Sequence, residues 1–375
     1  MLPPQGPPLR GVVFAQPVTG SLHGRDGSLA GATYLAGVSL ETTDTPSKVK
    51  AAVRLTAPET PALVRHHRRN LGDPTYRVIL TGLAVLLPLL LLAVAGQLAI
   101  SAAPALKKFG FNFMFTTTWD PVAEVYGAAP MIFGTVVSSL LALLIAVPLS
   151  LGTAIFLTEF APRWLRQPIG FLVELLAAVP SVVYGLWGVF VLIPLLRTVA
   201  VPPLRAVLGW TPFFKGVFYG NSMLAGGVIL AIMIVPYIAA VSREVLLAVP
   251  SSQREAAMGL GATRWEAVWT AVLPYGRAGI MGAIMLGFGR ALGETMAVTM
   301  LIGNRHDLGA SLLQPAYTMA AAIANEFSEA TTPMYLSALF AVGLVLFVIT
   351  ITINALARLL VWRVARGAAV GSKAL

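Results

Sequence analysis

Apolar residues in this chain come in long unbroken runs with no sustained alternation. Six such runs stand out, at roughly 77–101, 130–158, 167–196, 222–247, 278–303 and 334–358. About 20 apolar residues are needed for a helix to cross the hydrocarbon core of a bilayer, and each run reaches that length. Open strands cannot cross lipid, because their backbone groups would stay unpaired. The pattern therefore predicts an all-α membrane protein with six transmembrane helices.

Residues 1–70 differ in kind. They are rich in Gly, Pro, Ser and Thr and lack helical periodicity. No apolar core follows a basic segment, so they do not read as a signal peptide. The expected organisation is a disordered cytoplasmic extension over 1–70, a six-helix domain over 71–367 and a cytoplasmic tail over 368–375. A true start near Arg65 is the other reading of the first segment. It would need a codon other than Met, since the next methionine is Met114.

Composition agrees with a membrane class: 57% of residues are hydrophobic and 11% charged. A soluble domain carries about 25% charged residues. The formal net charge of +10 follows topology and does not call for nucleic acid. Arg65, Arg68, Arg69, Arg77, Arg163, Arg166, Arg243, Arg254, Arg264, Arg277, Arg358, Arg363, Arg366 and Lys373 border the runs on one side. Only Lys107, Lys108, Arg197, Arg205, Lys215 and Arg305 border them on the other. The richer side is expected to be cytoplasmic, with both termini there. No cysteine is present, and His23, His66, His67 and His306 form no helical ligand pair, so neither metal nor cofactor is expected.

The charges inside the runs carry the chemistry. Arg290 and Glu294 lie in the fifth run, four residues apart on a helix, so they are expected to share one face. Each charge at mid-bilayer costs about 2.5–3.5 kcal/mol on insertion scales. Stability is a poor reason for the pair, since apolar replacements of buried ion pairs are often neutral or better. An anion path is a better one: arginine stays charged and its planar fork fits oxyanions. A nearby carboxylate would moderate the field so that the anion is released. It could also accept a hydrogen bond from a protonated oxyanion, which a fully ionised one cannot donate. A structural ion pair is the plain alternative. Gly282, Gly287, Gly289 and Gly293 line the same run and would let a partner helix approach, or serve routine packing within the chain.

Between the fourth and fifth runs lies REAAMGLGATRWEAVWTAVLPYGRAG, residues 254–279. It opens as a helix, turns at Gly259 and Gly261, and resumes over RWEAVWTAVL until Pro274 is expected to end it. Glu255, Ala256, Ala257, Gly261, Leu273 and Pro274 resemble the EAA loop of ABC importer permeases. The departure is Ala271, where that family usually has a larger aliphatic residue. The resemblance implies a cytoplasmic coupling helix that docks on a separate ATPase subunit. The chain has no Gly-x4-Gly-Lys-Ser/Thr phosphate loop of its own.

Longer stretches narrow the resemblance. GRALGETMAVTMLIGN (289–304), ELLAAVPSVVYGLWG (174–188), PLSLGTAIFLTEFAP (148–162), WDP (119–121) and TMAAAIANEFSEA (318–330) resemble the C-type permease family of Pst phosphate transporters, over about residues 75–365. This implies the type I ABC importer permease fold in the bacterial inner membrane, with inorganic phosphate as substrate. It implies a second, A-type permease, ATPase subunits and an extracytoplasmic phosphate-binding protein as partners, with lipid around them. Arg290, Glu294, Thr295 and Thr299 are the path residues it implies. The alternatives are the same machine for another oxyanion, an ion-driven secondary transporter, or an intramembrane enzyme. The last would need a nucleophile and base on one face, which the runs do not offer.

Three further expectations concern single sites. Glu174 snorkels to the cytoplasmic interface, or serves gating or pairing with a basic residue, and Pro180 kinks the third run. Asn325, Glu326 and Glu329 lie at the outer mouth, as solvated charges or in contact with the binding protein. The aromatic residues of 197–221, such as Trp210 and Phe213, belong to an interfacial belt or an outer docking surface.

Overall fold

The computed structural model of the protein describes residues 72–371. The extension over 1–70, with Arg65, Arg68, Arg69, His23, His66 and His67, lies outside the described residues, as does Lys373.

The first helix, α1, spans Gly72–Phe109. A two-stranded hairpin follows, β1 (Trp119–Asp120) and β2 (Val125–Tyr126), paired in antiparallel register with Trp119 opposite Tyr126. Asp120 closes its turn by accepting from the Val122 and Ala123 amides at 2.9 and 3.1 Å. Helix α2 covers Ala129–Ile155 and runs on through a π-turn at Phe156–Phe160. Helix α3 covers Arg163–Ala178, α4 Ser181–Leu208, and α5 Met223–Leu247. The short α6 (Ser251–Gly259) precedes α7 (Arg264–Gly293). Helices α8 (Met296–Ile302) and α9 (Met319–Glu326) lead to the last helix, α10 (Pro333–Gly371).

Among the described residues, six helices are long and apolar enough to cross a membrane: those at Tyr76–Met114, Ala129–Phe160, Ser181–Leu208, Met223–Leu247, Arg264–Gly293 and Pro333–Leu359. The fifth covers 264–293 where 278–303 is expected, and the third also differs from its expected position. Residues 163–178 form a separate helix, and the span begins at Ser181. Val179 and Pro180 are extended. Proline has no amide hydrogen and disfavours a helical residue before it, so the helix is broken there and not merely kinked.

Helix α5 is the centre of the bundle. Of its apolar window 67% is buried, against 0% for α1. It packs along α2, α7, α8 and α3, while α1 lies against α10. Small residues allow these close approaches: Ala142 and Ala146 of α2 are fully buried, and a Cβ at Gly227 would collide with Leu141. Ser150 ties the two helices by donating to the Val235 carbonyl at 3.1 Å, beside Pro236.

Candidate functional site

Helix α7 stops at Gly293. Glu294 is extended (φ −70°, ψ 129°), and a new helix begins after Thr295. Arg290 and Glu294 therefore do not share a helical face, and no ion pair within 4.0 Å joins them. The local cause is a set of polar groups that satisfy the broken ends. The Glu294 carboxylate accepts from the Ala297 amide at 3.4 Å, placing a negative charge at the start of α8. Thr295 donates to the Gly293 carbonyl at 3.3 Å, one of the orphaned acceptors at the end of α7. Thr299 donates back to the Thr295 carbonyl at 2.7 Å, and its own carbonyl accepts from Asn304 at 2.9 Å.

Arg290 sits in the last turn of α7, where a cation suits the helix dipole. Its guanidinium lies over the Tyr237 ring of α5, 4.2 Å from the centroid. Its Nε is buried without a hydrogen-bond partner. Arg290 opens on a cavity of about 480 Å³, lined also by Tyr237, Met285, Leu286, Gly289, Thr350 and Asn354. Glu294, Thr295 and Thr299 are not among the lining residues. A guanidinium held by an aromatic face at the wall of a largely apolar cleft is suited to receive an oxyanion.

The break before α4 meets this site. Tyr237 donates to the Ala177 carbonyl at 2.6 Å, and Tyr184 donates to that of Leu176 at 2.8 Å. Both carbonyls belong to the orphaned end of α3. Tyr237 thus contacts the α3 terminus with its hydroxyl and Arg290 with its ring. Glu174 of α3 pairs with Arg243 at 3.5 Å, the pairing alternative among its expected roles. The glycines divide by position. A Cβ at Gly287 would strike Ile238 within the chain, while Gly282 and Gly293 have open space around them.

A second surface lies at α6 and the start of α7. Glu255 and Ala256 are exposed, and Ala257 is half-buried. Gly261 makes the turn at φ +91°, where a side chain would be strained. Thr263 and Glu266 then form a reciprocal capping box. Pro274 does not end this helix, contrary to expectation. A π-turn at Val268–Val272 precedes it, and Leu273 and Pro274 open the next helical stretch without interruption. The wider turn relieves the clash that proline would make with the preceding turn. Leu260 is 92% exposed, and Trp265 and Trp269 are 54% exposed each.

Three arrangements carry no motif of their own. Arg254, which opens the loop, holds Glu159 of the α2 π-turn through bonds of 2.9–3.2 Å. It also donates to the carbonyls of Val249 (2.6 Å) and Leu246 (2.8 Å), locking α6 to the ends of α2 and α5. Glu159 sat in view within the 148–162 stretch, but nothing in the sequence links it to a residue 95 positions on. Tyr237 is likewise a lone aromatic in an apolar run. The third arrangement overturns the solvated reading of Glu326, which is only 7% exposed. Its carboxylate accepts from Trp119 at 2.7 Å and Tyr335 at 2.8 Å, and lies 3.1 Å from His306 Nε2. Burial pushes this carboxyl up, but His306, Tyr335 and Trp119 outweigh it and hold the pKa below its ordinary value. Burial pushes the Tyr317 hydroxyl beside it up.

The chain matches the family described as "Binding-protein-dependent transport system inner membrane component" over residues 146–366. It is 48% identical over 301 residues to the phosphate transport system permease protein PstC of Mesorhizobium japonicum, covering 79% of this chain and 92% of that one. It is 47% identical over 315 residues to PstC of Pasteurella multocida, covering 83% and 97%. Among solved structures, a permease chain of a bacterial alginate ABC transporter, crystallised with an alginate-bound periplasmic protein, aligns with TM-score 0.52 at 16% identity, over 77% of this chain and 96% of that one. That likeness concerns the fold.

Proposed function

This chain belongs to the family of binding-protein-dependent transport system inner membrane components, and we propose that it is the permease subunit of an ATP-driven importer of inorganic phosphate. One observation carries this: identity of 47–48% to PstC phosphate permeases over 79–83% of this chain and 92–97% of theirs. The chain is a multi-pass membrane protein with the type I importer permease fold. It lines half of the path, a second permease lines the other, and a separate ATPase turns over ATP. An extracytoplasmic binding protein delivers phosphate. Both termini face the cytoplasm, a reading supported by the Lys and Arg residues that crowd that side.

Two features support the division of labour. The exposed α6–α7 turn, with Glu255, Ala256, Ala257, Gly261, Leu273 and Pro274, offers the ATPase a rigid surface with Leu260 and the two tryptophans as apolar anchors. Arg254 and Glu159 transmit its displacement into α2 and α5. Arg290 supplies the positive charge of the path. Glu294, Thr295 and Thr299 border it at the helix break, where Glu294 tempers the field. The open edge at Gly282 and Gly293 suits contact with the second permease.

The test is uptake by vesicles holding both permeases and the ATPase, with binding protein on the extracytoplasmic face. Radiolabelled phosphate should accumulate only with ATP, and excess unlabelled sulfate or molybdate should not compete. Uptake that ignores ATP depletion would indicate an ion-driven transporter instead.

A further inference from the structure

The cavity beside Arg290 holds a second polar group that the sequence did not single out. Asn354 of α10 lines it together with Arg290 and Gly289. Its amide nitrogen donates to the Thr350 carbonyl at 2.9 Å, one turn back on the same helix. That bond fixes the orientation of the amide and leaves Oδ1 as the end turned toward α7. A Cβ built on Gly289 would lie 3.8 Å from this oxygen, so the absence of a side chain at Gly289 keeps the approach open. No hydrogen bond reaches Oδ1 among the described residues.

The other polar side chains of the cavity have their protons committed. Thr350 donates to the Leu346 carbonyl at 2.7 Å, and Tyr237 donates to that of Ala177 at 2.6 Å. Glu294, the acceptor expected from sequence, is turned to the Ala297 amide. The cavity thus pairs one cation, Arg290, with one amide carbonyl. Phosphate near neutral pH always keeps at least one P–OH; sulfate keeps none. A neutral carbonyl can accept from that hydroxyl without repelling the anion, as a carboxylate would.

We propose that Asn354 is a specificity-determining residue: its amide oxygen accepts the hydroxyl of a protonated phosphate whose other oxygens are held by Arg290. This rests on the phosphate-path reading of the Arg290 cavity. It adds a filter in the membrane, independent of the binding protein. One neutral hydrogen bond of this kind corresponds to about a three- to tenfold preference.

The experiment measures binding of radiolabelled phosphate to the solubilised complex of both permeases and ATPase, without binding protein. The competitor is monofluorophosphate, of like shape and charge but with fluorine in place of the hydroxyl. The wild-type complex should prefer phosphate by about three- to tenfold. Asn354→Leu should bind the two anions equally. Asn354→Asp, of the same shape, should bind both more weakly yet keep the preference, so a packing defect in the leucine variant does not decide the outcome. Arg290→Gln should lose both anions. An unchanged preference in Asn354→Leu, or none in the wild type, overturns the role of Asn354 while leaving the path intact. Wild-type levels of phosphate binding in Arg290→Gln, or no phosphate binding to the wild-type complex, overturn the path reading itself and the filter with it.

Discussion

The Arg290 guanidinium rests on the Tyr237 ring, 4.2 Å from its centroid, while the Tyr237 hydroxyl holds the Ala177 carbonyl at 2.6 Å. One side chain thus joins the Arg290 charge to the broken end of α3. Its two contacts can be separated. Tyr237→Phe keeps the ring and loses the hydroxyl bond, and Tyr237→Leu loses both. A cation–π contact contributes about 0.5–2 kcal/mol. Uptake by Tyr237→Leu should fall about tenfold, with the phenylalanine variant nearer to wild type. Initial rates of phosphate uptake, at matched assembly, distinguish them. Equal rates in the two variants would remove the ring from the account.

The Glu159–Arg254 pair should behave as a mechanical link. Their side chains are 13% and 22% exposed, so the pair is only partly screened. Glu159→Gln should cost about 2 kcal/mol, seen as a lower melting temperature of the purified complex. It should also weaken the stimulation of ATPase activity by loaded binding protein. If melting drops but stimulation is unchanged, the pair is a staple and not a transmitter.

Gly261 turns at φ +91° with nothing within 4 Å of a Cβ built there. Space is thus no obstacle to Gly261→Ala, and backbone strain of about 1 kcal/mol remains. Co-purification of the ATPase with the variant should fall several-fold while the permease pair stays intact. Full retention of ATPase would mean that the turn tolerates a different path.

Glu326 gives the fold a predicted pH dependence. Its pKa in the folded protein lies below the ordinary carboxyl value. Its stabilisation is therefore complete above about pH 4.3, the unfolded value, and is lost as pH falls through the folded one. Glu326→Gln should lower stability by about 1–3 kcal/mol at neutral pH and flatten the acid limb of the melting profile. An acid limb of the same depth in wild type and variant would assign that loss to other carboxyls.

Much of the architecture was legible because hydrophobic length speaks for itself. The existence of six spans, the bounds of the first, second, fourth and sixth to within a turn or so at most ends, and the turn at Gly261 follow from local composition and from glycine and proline; the third and fifth spans are displaced by the breaks at Pro180 and Gly293. What was not legible depends on partners distant in sequence or on how a break is satisfied. The Arg290–Glu294 spacing reads as one helical face, yet Gly293 and the capping of Ala297 by Glu294 end the helix between them. Pro274 reads as a stop, yet a π-turn carries the chain through it. Glu326 reads as a solvated loop charge, yet Trp119, 207 positions earlier, and His306 bury it. Arg290 was found from the cost of its charge; Tyr237 and Asn354, being cheap to bury, gave no such signal.

If Arg290 carries phosphate across, transport must stop without its charge. The most direct test is ATP-dependent uptake of radiolabelled phosphate by vesicles holding the complete complex, wild type beside Arg290→Gln. Uptake should be abolished in the variant while the permeases and ATPase still co-purify in full. Uptake retained by Arg290→Gln at the wild-type rate would contradict it and leave Arg290 a structural cation on Tyr237.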